Sequence, residues 1–329
     1  MANILLITPM ADGQTGPYIH ETFINMKHRV AYIDWLAILN KDGPEIMNKM
    51  IVDIAMNLKP DLVLIIKGIG ITPETIIEIK ALLKTNVVGW IFDTTLGGVP
   101  VKDVEPYVEM LKELDTFFTV DAQAVSELKT LGINAEWLSE GCFERFNGPQ
   151  VFNSVQARKY GADIVFAGSI GGIHPNRDKF LKRVYDEGFN MRLYGDVLYK
   201  EGEDPNWVKD MHTGYAAIND MYSIVCGSSK IILGLDGWSE REQCYSARLY
   251  RTLCAGGFYL TKYTKGMEKH FTPGVHLDTF KDEDEMVEKI IKYLQDDELR
   301  EKIAKQGQEL VMEKHQFKHR IEKIIETFK

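Results

Sequence analysis

The chain is short of the features that would set it apart from an ordinary globular protein. Its 329 residues include four cysteines, Cys142, Cys226, Cys244 and Cys254, with no C-x-x-C pair and no histidine at zinc-ligand spacing. That argues against a disulfide framework or a zinc site and for reduced thiols in a cytosolic protein. No apolar run reaches the length of a membrane span. Residues 3–8 (NILLIT) already read as a strand, leaving no room for a signal peptide, so a soluble, cytoplasmic protein is expected. Basic charge is not in excess: 39 Lys and Arg face 48 Asp and Glu, for a net charge of −9. Non-specific binding to nucleic acid or an anionic membrane is therefore an unsuitable main role, although a local basic cleft remains open. Tandem repeats and low-complexity tails are absent. So are the two common phosphate signatures. The loop GSIGGIHPNR, residues 168–177, lacks the Gly-Lys-Ser/Thr ending of a Walker A loop, and no G-x-G-x-x-G follows a strand.

What the chain does contain is alternation. Apolar runs at residues 3–8, 29–34, 61–66, 86–92, 116–120 and 135–138 read as strands. Helices are expected at 18–26, 44–58, from Thr72 to about residue 84, at 106–114 and at 122–131. Pro17 and Pro73 stand in first helical turns, and Thr72 is a cap candidate. Continuous apolar strands alternating with helices predict a parallel, doubly wound sheet. The pattern breaks over residues 139–155, which contain Gly141, Gly148 and Pro149 and read as a linker. It resumes with strands at 162–167, 190–194 and 230–233 and a helix at 176–187. Amphipathic helices are expected at 283–295 and 297–313, and a last helix at 316–328. Two α/β domains in series, each doubly wound, are expected to face a central cleft, with ligands at the carboxyl ends of the strands.

The stretch CYSARLYRTLCAGGFYLT, residues 244–261, stands out. It reads as a short helix capped by Ser246, stopped at Gly256–Gly257 and followed by a strand. Arg248 and Arg251 are three residues apart and share one face, while Leu249 and Leu253 point to a core. Two guanidiniums near a helix start suit a diphosphate; they equally suit a solvated face with carboxylate partners. Other strand ends in this half carry Gly168–Ser169, Gly195–Asp196 and Gly234–Asp236, small or polar residues that let backbone amides approach phosphate oxygens. Arg177 opens a helix, where a cation opposes the helix dipole. Its partner is either an anionic ligand or a carboxylate such as Asp178 or Asp196.

In the first half, three strand ends are polar. Gly13 to Gly16 leads to His20, the next end is Lys67–Gly68, and the third is Asp93–Thr94–Thr95. Asp93 is a candidate general base or a turn cap. His20 is a second candidate base or a structural histidine. Lys67 either meets an anion or extends its amine out of the sheet.

At this point the residues carry a family resemblance. DIVFAGSIGGIHPNRDKFL, MRLYGD, SARLYRTLCAGGFYLT and ELREKIAKQGQELVMEKHQFKHRIEKI resemble the CgeB-like group of GT-B glycosyltransferases, of the group 1 type. KPDLVLIIKG, VVGWIFD and ELDTFFTVD follow in the family's order in the first half. The resemblance implies a GT-B-like fold of two Rossmann-like domains. They would be an acceptor-side domain over 1–145, a nucleotide-sugar-binding domain over 146–315, and a C-terminal helix over 316–329 packing back on the first domain. It also implies sugar transfer from a nucleotide sugar, expected to be a UDP-sugar, with no bound metal and no cofactor beyond that co-substrate. The leaving diphosphate would be met by arginines and helix N-termini. The donor set would be Gly16, Gly168, Ser169, Arg177, Gly195, Asp236, Arg248, Arg251 and Gly256. Lys67, Thr94 and Thr95 would lie on the acceptor side, and Asp93, His20 and Arg248 would be catalytic.

One departure matters. The family pattern is R-x-x-E, with the glutamate holding the ribose hydroxyls. Arg248 matches, but Arg251 stands at the glutamate's position, and Gln243 breaks the wider E-x7-E pattern. A guanidinium cannot accept hydrogen bonds. Either Arg251 holds the diphosphate, or the donor differs, or another acid reads the ribose, with Glu240, Glu242 and Asp236 nearby. Three readings follow: an active glycosyltransferase, a GT-B-type epimerase, or a binding module without turnover. The acceptor is open among a saccharide, a protein, a small metabolite and a modified nucleobase.

Overall fold

Strands that are apolar on both faces must be covered on both faces, and this rule builds both halves of the molecule. The computed structural model describes residues 1–93, 103–172 and 175–327. The chain divides into two compact units. One is Met1–Glu140 with Phe317–Lys329, and the other is Gly141–Gln316.

The first unit runs β1 (Asn3–Ile7), α1 (Gly16–Asn25), β2 (Arg29–Ile33), α2 (Trp35–Asp42), α3 (Pro44–Leu58), β3 (Leu62–Ile66), α4 (Pro73–Leu82), β4 (Asn86–Ile91), α5 (Val104–Lys112), β5 (Thr116–Thr119), α6 (Ala122–Thr130) and β6 (Ala135–Trp137). Its sheet has the order β2-β1-β3-β4-β5-β6, with every pairing parallel. Leu5, Ile7, Val63, Ile65 and Val87 pack against Met47, Ile51, Ile76 and Ile79 from the helices, all at most 1% exposed. Thr72 caps α4 with Pro73 in its first turn. Helix α2 was hidden in the sequence because Asp34 reads as a strand end. One Asp34 oxygen instead accepts from the Ala37 amide at 3.0 Å and starts a helix, while the other accepts from the Met10 amide at 3.0 Å.

The second unit contains α7 (Glu144–Asn147), α8 (Ser154–Tyr160), β7 (Ile164–Ala167), α9 (Pro175–Asp186), β8 (Met191–Tyr194), α10 (Asn206–Met211), α11 (Asn219–Ser228), β9 (Ile231–Gly234), α12 (Ala247–Cys254), β10 (Tyr259–Lys262), β11 (Asp278–Phe280), α13 (Glu283–Gln295) and α14 (Asp297–Lys314). The sheet order is β11-β10-β9-β7-β8, again parallel throughout. Residues 139–155, expected to be a structureless linker, hold α7 and the start of α8. A four-residue helix shows no periodicity, and α8 begins with a capping box between Asn153 and Gln156. In both sheets the chain reverses its direction of winding beside the first strand. Loops diverge there, between β1 and β3 and between β7 and β9.

The last helix, α15 (Phe317–Glu326), belongs to the first unit. It buries Phe317, Ile321 and Ile324 completely. The Phe317 ring centroid lies 6.2 Å from that of Tyr18 on α1 and 6.1 Å from that of Trp90 on β4. Arg320 fixes the register. Its guanidinium donates to the Ser139 carbonyl at 3.2 Å, to the Glu140 carbonyl at 3.1 and 3.0 Å, and to Ser139 Oγ at 2.9 Å. Among the described residues, no helix is long and apolar enough to cross a membrane. Arg320→Ala leaves these buried carbonyls without their donor and should cost about 2–4 kcal/mol. Urea unfolding of the full chain measures this, and a loss below about 0.5 kcal/mol, the size of a neutral surface change, would contradict the anchoring role.

Candidate functional site

A cavity of about 340 Å³ opens in the second unit at the carboxyl ends of β7 and β8. Gly168 and Ser169 line it after β7, Gly195 and Asp196 after β8, and Arg248 and Arg251 from α12. Residues 216–219 form another wall.

The loops after β7 and β9 diverge here, and two arginines tie them together. Arg248 Nε donates to the Ala167 carbonyl at 2.6 Å, and its Nη1 lies 3.3 Å from the Asp236 carboxylate. Arg177 Nη1 donates to the Ser169 carbonyl at 2.6 Å, and its Nε to the Leu235 carbonyl at 3.0 Å. Both guanidiniums lie over the Phe166 ring, 4.8 Å and 5.3 Å from its centroid. Two cations this close need compensation. Burial, followed by the like charge of Arg248, lowers the Arg177 pKa to about 10, and Asp236 works against that shift. Burial also opposes the Arg248 charge, but Tyr259, Asp236 and Tyr222 outweigh it and its pKa is raised.

Asp236 has a second task. Its carboxylate accepts from the Ser246 amide at 3.1 Å and from Ser246 Oγ at 2.6 Å. The expected Ser246 cap is therefore replaced by Asp236: Ser246 makes no side-chain cap bond of its own. Placing a carboxylate at the start of α12 also favours the helix dipole.

Glycine is required where the loops meet. Gly195 has φ +129°, and a Cβ there would lie 2.4 Å from the Gly168 carbonyl oxygen. At Gly168 a Cβ would come within 2.5 Å of Arg248 Nη2. Around this contact the wall is pinned by His212, whose Nε2 donates to the Gly195 carbonyl at 2.7 Å and whose Nδ1 accepts from the Gly214 amide at 3.2 Å. Those two bonds select one tautomer. On the other side, Asp178 accepts from the Gly171 amide at 3.0 Å and from the Tyr199 hydroxyl.

Of the residues singled out in the sequence, Gly168, Ser169, Gly195, Arg248 and Arg251 meet in this cavity. Arg177 and Asp236 do not line it; they sit behind the loops, bonded to backbone and to Ser246 and Arg248. The partners of Arg177 are carbonyls rather than an anion or a carboxylate, which a spacing argument cannot show. Gly256 lies elsewhere. It ends α12 with φ +77° beside the Gln308 side chain, at the end of the helix opposite the cavity. Glu240 and Glu242 also lie outside the lining, ion-paired to Lys262 at 3.6 Å and Lys269 at 2.6 Å. A hydrogen bond from Lys269 lowers the Glu242 pKa.

Gly16, Lys67 and Asp93 come together in the first unit. They line a cavity of about 180 Å³ at the carboxyl ends of β1, β3 and β4. Gly16 lines this cavity and is not among the residues that line the arginine cavity. Its helix approaches β1 so closely that a Cβ would lie 2.1 Å from the Pro9 carbonyl oxygen. Lys67 Nζ pairs with Asp93 at 2.9 Å, and the Tyr107 hydroxyl donates to the Lys67 carbonyl at 2.9 Å. Burial, with Asp93 adding to it, pushes the Tyr107 pKa well up. His20 is not among the lining residues. Its ring meets Tyr32 edge-on at 5.4 Å, and burial lowers its pKa against the pull of Glu21. Thr94 and Thr95 lie outside the described residues. Two asparagines that line the arginine cavity were not singled out in the sequence. Asn147 comes from the unforeseen α7, and Asn219 adopts φ 49° at the start of α11. Asp196 was noted with Gly195 at its strand end and as a possible partner for Arg177, but not as an acid that could read a ligand. Among the described residues, no three His, Cys, Asp or Glu side chains gather as they would around a metal ion.

Comparison with known proteins agrees with this picture. Residues 177–326 match the family model described as glycosyl transferase-like. No curated protein matches the chain significantly. Solved structures match over nearly the whole length. Anabaena Alr3699/HepE in complex with UDP-glucose has 9% identity and a TM-score of 0.67, covering 99% of this chain and 100% of that one. Sucrose-phosphate synthase from Thermosynechococcus elongatus has 10% identity and a TM-score of 0.68, covering 100% and 98%. An α-glucosyltransferase in complex with UDP and a 13-mer DNA containing an HMU base has 12% identity and a TM-score of 0.67, covering 99% of each chain. At such identities the likeness is one of fold. The chain has the two-sheet architecture of the GT-B glycosyltransferases, and the glycosyl transferase-like match covers most of its second unit and the last helix.

Proposed function

We propose that the protein transfers a sugar from a nucleotide-sugar donor, in the first instance a UDP-sugar, to an acceptor hydroxyl. The observation that carries this reading is the arginine pair. Arg248 and Arg251 line one cavity at the switch point of a parallel sheet, within the segment that matches the glycosyl transferase-like family. The cavity's volume of about 340 Å³ suits a small ligand. UDP as the carrier is favoured by fold neighbours that hold UDP-glucose or UDP.

In the reaction the bond from the sugar's anomeric carbon to the diphosphate breaks, and a bond to the acceptor oxygen forms. The electron pair leaves with the diphosphate, whose growing negative charge needs cations already in place. Arg248 is held by Ala167 and Asp236 and so cannot turn away. Asp236 offsets part of its charge, and Arg251, which lines the same cavity, adds a second guanidinium there. The nucleotide sugar is a co-substrate, and this scheme calls on no further cofactor. The acceptor's proton must also leave. If the sugar's configuration inverts, Asp93 beside Lys67 is the base; if it is retained, the departing phosphate can take the proton and Asp93 has no such task. Arg251 at the usual glutamate position also keeps a second reading in view, a nucleotide-sugar-binding relative without turnover.

Nucleotide release from UDP-, GDP-, ADP- and dTDP-sugars, with and without simple acceptors, tests the proposal. UDP-sugars should release UDP, and Arg251→Ala should lower kcat/KM by about 10–100-fold, the effect of one lost charged contact. Tight binding with no release from any donor would select the binding module, and no binding at all would overturn both. Arg177→Met should behave differently, because its bonds go to the backbone. It should lower stability by about 2–4 kcal/mol in urea unfolding. Unchanged stability would remove Arg177 from its tying role.

A further inference from the structure

A nucleotide sugar presents hydroxyls as well as phosphates, and in a cavity those hydroxyls need acceptors. Arg251 supplies none. The nearby acids are engaged elsewhere. Asp236 accepts from Ser246 and pairs with Arg248, Glu240 pairs with Lys262, and Glu242 pairs with Lys269. Among the described residues that line the cavity, one carboxylate remains, that of Asp196.

Its backbone is held in place. The Asp196 carbonyl accepts from the Ile170 amide at 2.9 Å, and an isolated parallel bridge joins Ile170 to Val197. The residue before it, Gly195, donates its amide to the Tyr215 carbonyl at 3.2 Å and accepts from His212 at 2.7 Å. The side chain, in contrast, is exposed and makes no ion pair or side-chain hydrogen bond among the described residues. A fixed backbone, a carboxylate with unused acceptor capacity and two arginines lining the same cavity form a polarised site. Its cationic side suits phosphates and its anionic side suits O–H donors.

We infer that Asp196 reads a pair of neighbouring hydroxyls on the donor, accepting from both, and so supplies the acceptor function absent at position 251. The inference rests on the nucleotide-sugar reading. A vicinal diol occurs both in the ribose and in the transferred sugar, and the test separates the two.

Calorimetric titration of the full chain with UDP, 2′-deoxy-UDP and UDP-glucose is the experiment, on wild type and Asp196→Ala. A diol held by a carboxylate should make wild type bind UDP about 10-fold more tightly than 2′-deoxy-UDP, and Asp196→Ala should abolish the difference. If the UDP to 2′-deoxy-UDP ratio is unaffected but Asp196→Ala weakens UDP-glucose relative to UDP, the diol is that of the sugar. The inference is overturned if both ratios are the same in wild type and variant. Failure of wild type to bind UDP, GDP or ADP in any form would instead overturn the parent reading, and this one with it. Because the side chain is exposed and unbonded, thermal unfolding of Asp196→Ala should match wild type, so an altered ratio reports binding and not misfolding.

Discussion

The second unit depends on holding together two loops that its own topology drives apart. Beside β7 the winding of the sheet reverses, so the segments after β7 and β9 leave in opposite directions and no ladder hydrogen bond can join them. Arg177 and Arg248 do so instead, each reaching across the gap to a carbonyl on the other side, Leu235 for Arg177 and Ala167 for Arg248. Carbonyl oxygens that would be left unpaired in a poorly solvated crevice gain strong charged donors. The cost is two neighbouring cations. Asp236 and the Phe166 ring beneath both guanidiniums reduce it. The same arrangement that closes the fold leaves a cationic cavity at the strand ends, so structural need and the proposed anion binding share residues.

This sharing explains why only part of the site belongs to the ligand. Arg177, Asp236 and Phe166 form a support, and the side chains in front of it are Arg251, Ser169 and Asp196. Gly168 and Gly195 are small for a structural reason, since their backbones and Arg248 occupy the space a side chain would need. The first unit solves the same topological problem differently. At the ends of β1, β3 and β4 it places a Lys67–Asp93 pair instead of stacked arginines. Its cavity thereby carries one cation and one carboxylate side by side, a combination suited to a hydroxyl substrate more than to a diphosphate.

Both parallel sheets were legible because buried strands such as residues 4–7, 62–66 and 164–167 are apolar without interruption. The pairing of Arg248 with Arg251 followed from helical spacing. What the sequence concealed were the features set by tertiary contacts. Asp34, which reads as a strand end, starts a helix, Asp236 caps α12 from ten residues upstream, and α7 is too short to show a period. Arg177 looked like an anion partner, because the two carbonyls that hold it are 8 and 58 residues away along the chain. Gly256 was grouped with the donor residues by motif position, although it ends α12 and is not among the residues lining the cavity. Asp196 carried a signal, a carboxylate directly after a strand-end glycine, but its importance emerges only once the other acids are seen to be engaged.

The loops tied by Arg177 and Arg248 are proposed to present a diphosphate site. A crystal structure of the full chain with UDP tests it most directly. The diphosphate should lie against Arg251 and the guanidinium of Arg248, beside the backbone amide of Ser169. Density for UDP elsewhere on the second unit, or a diphosphate bound with both arginines turned away, would contradict it.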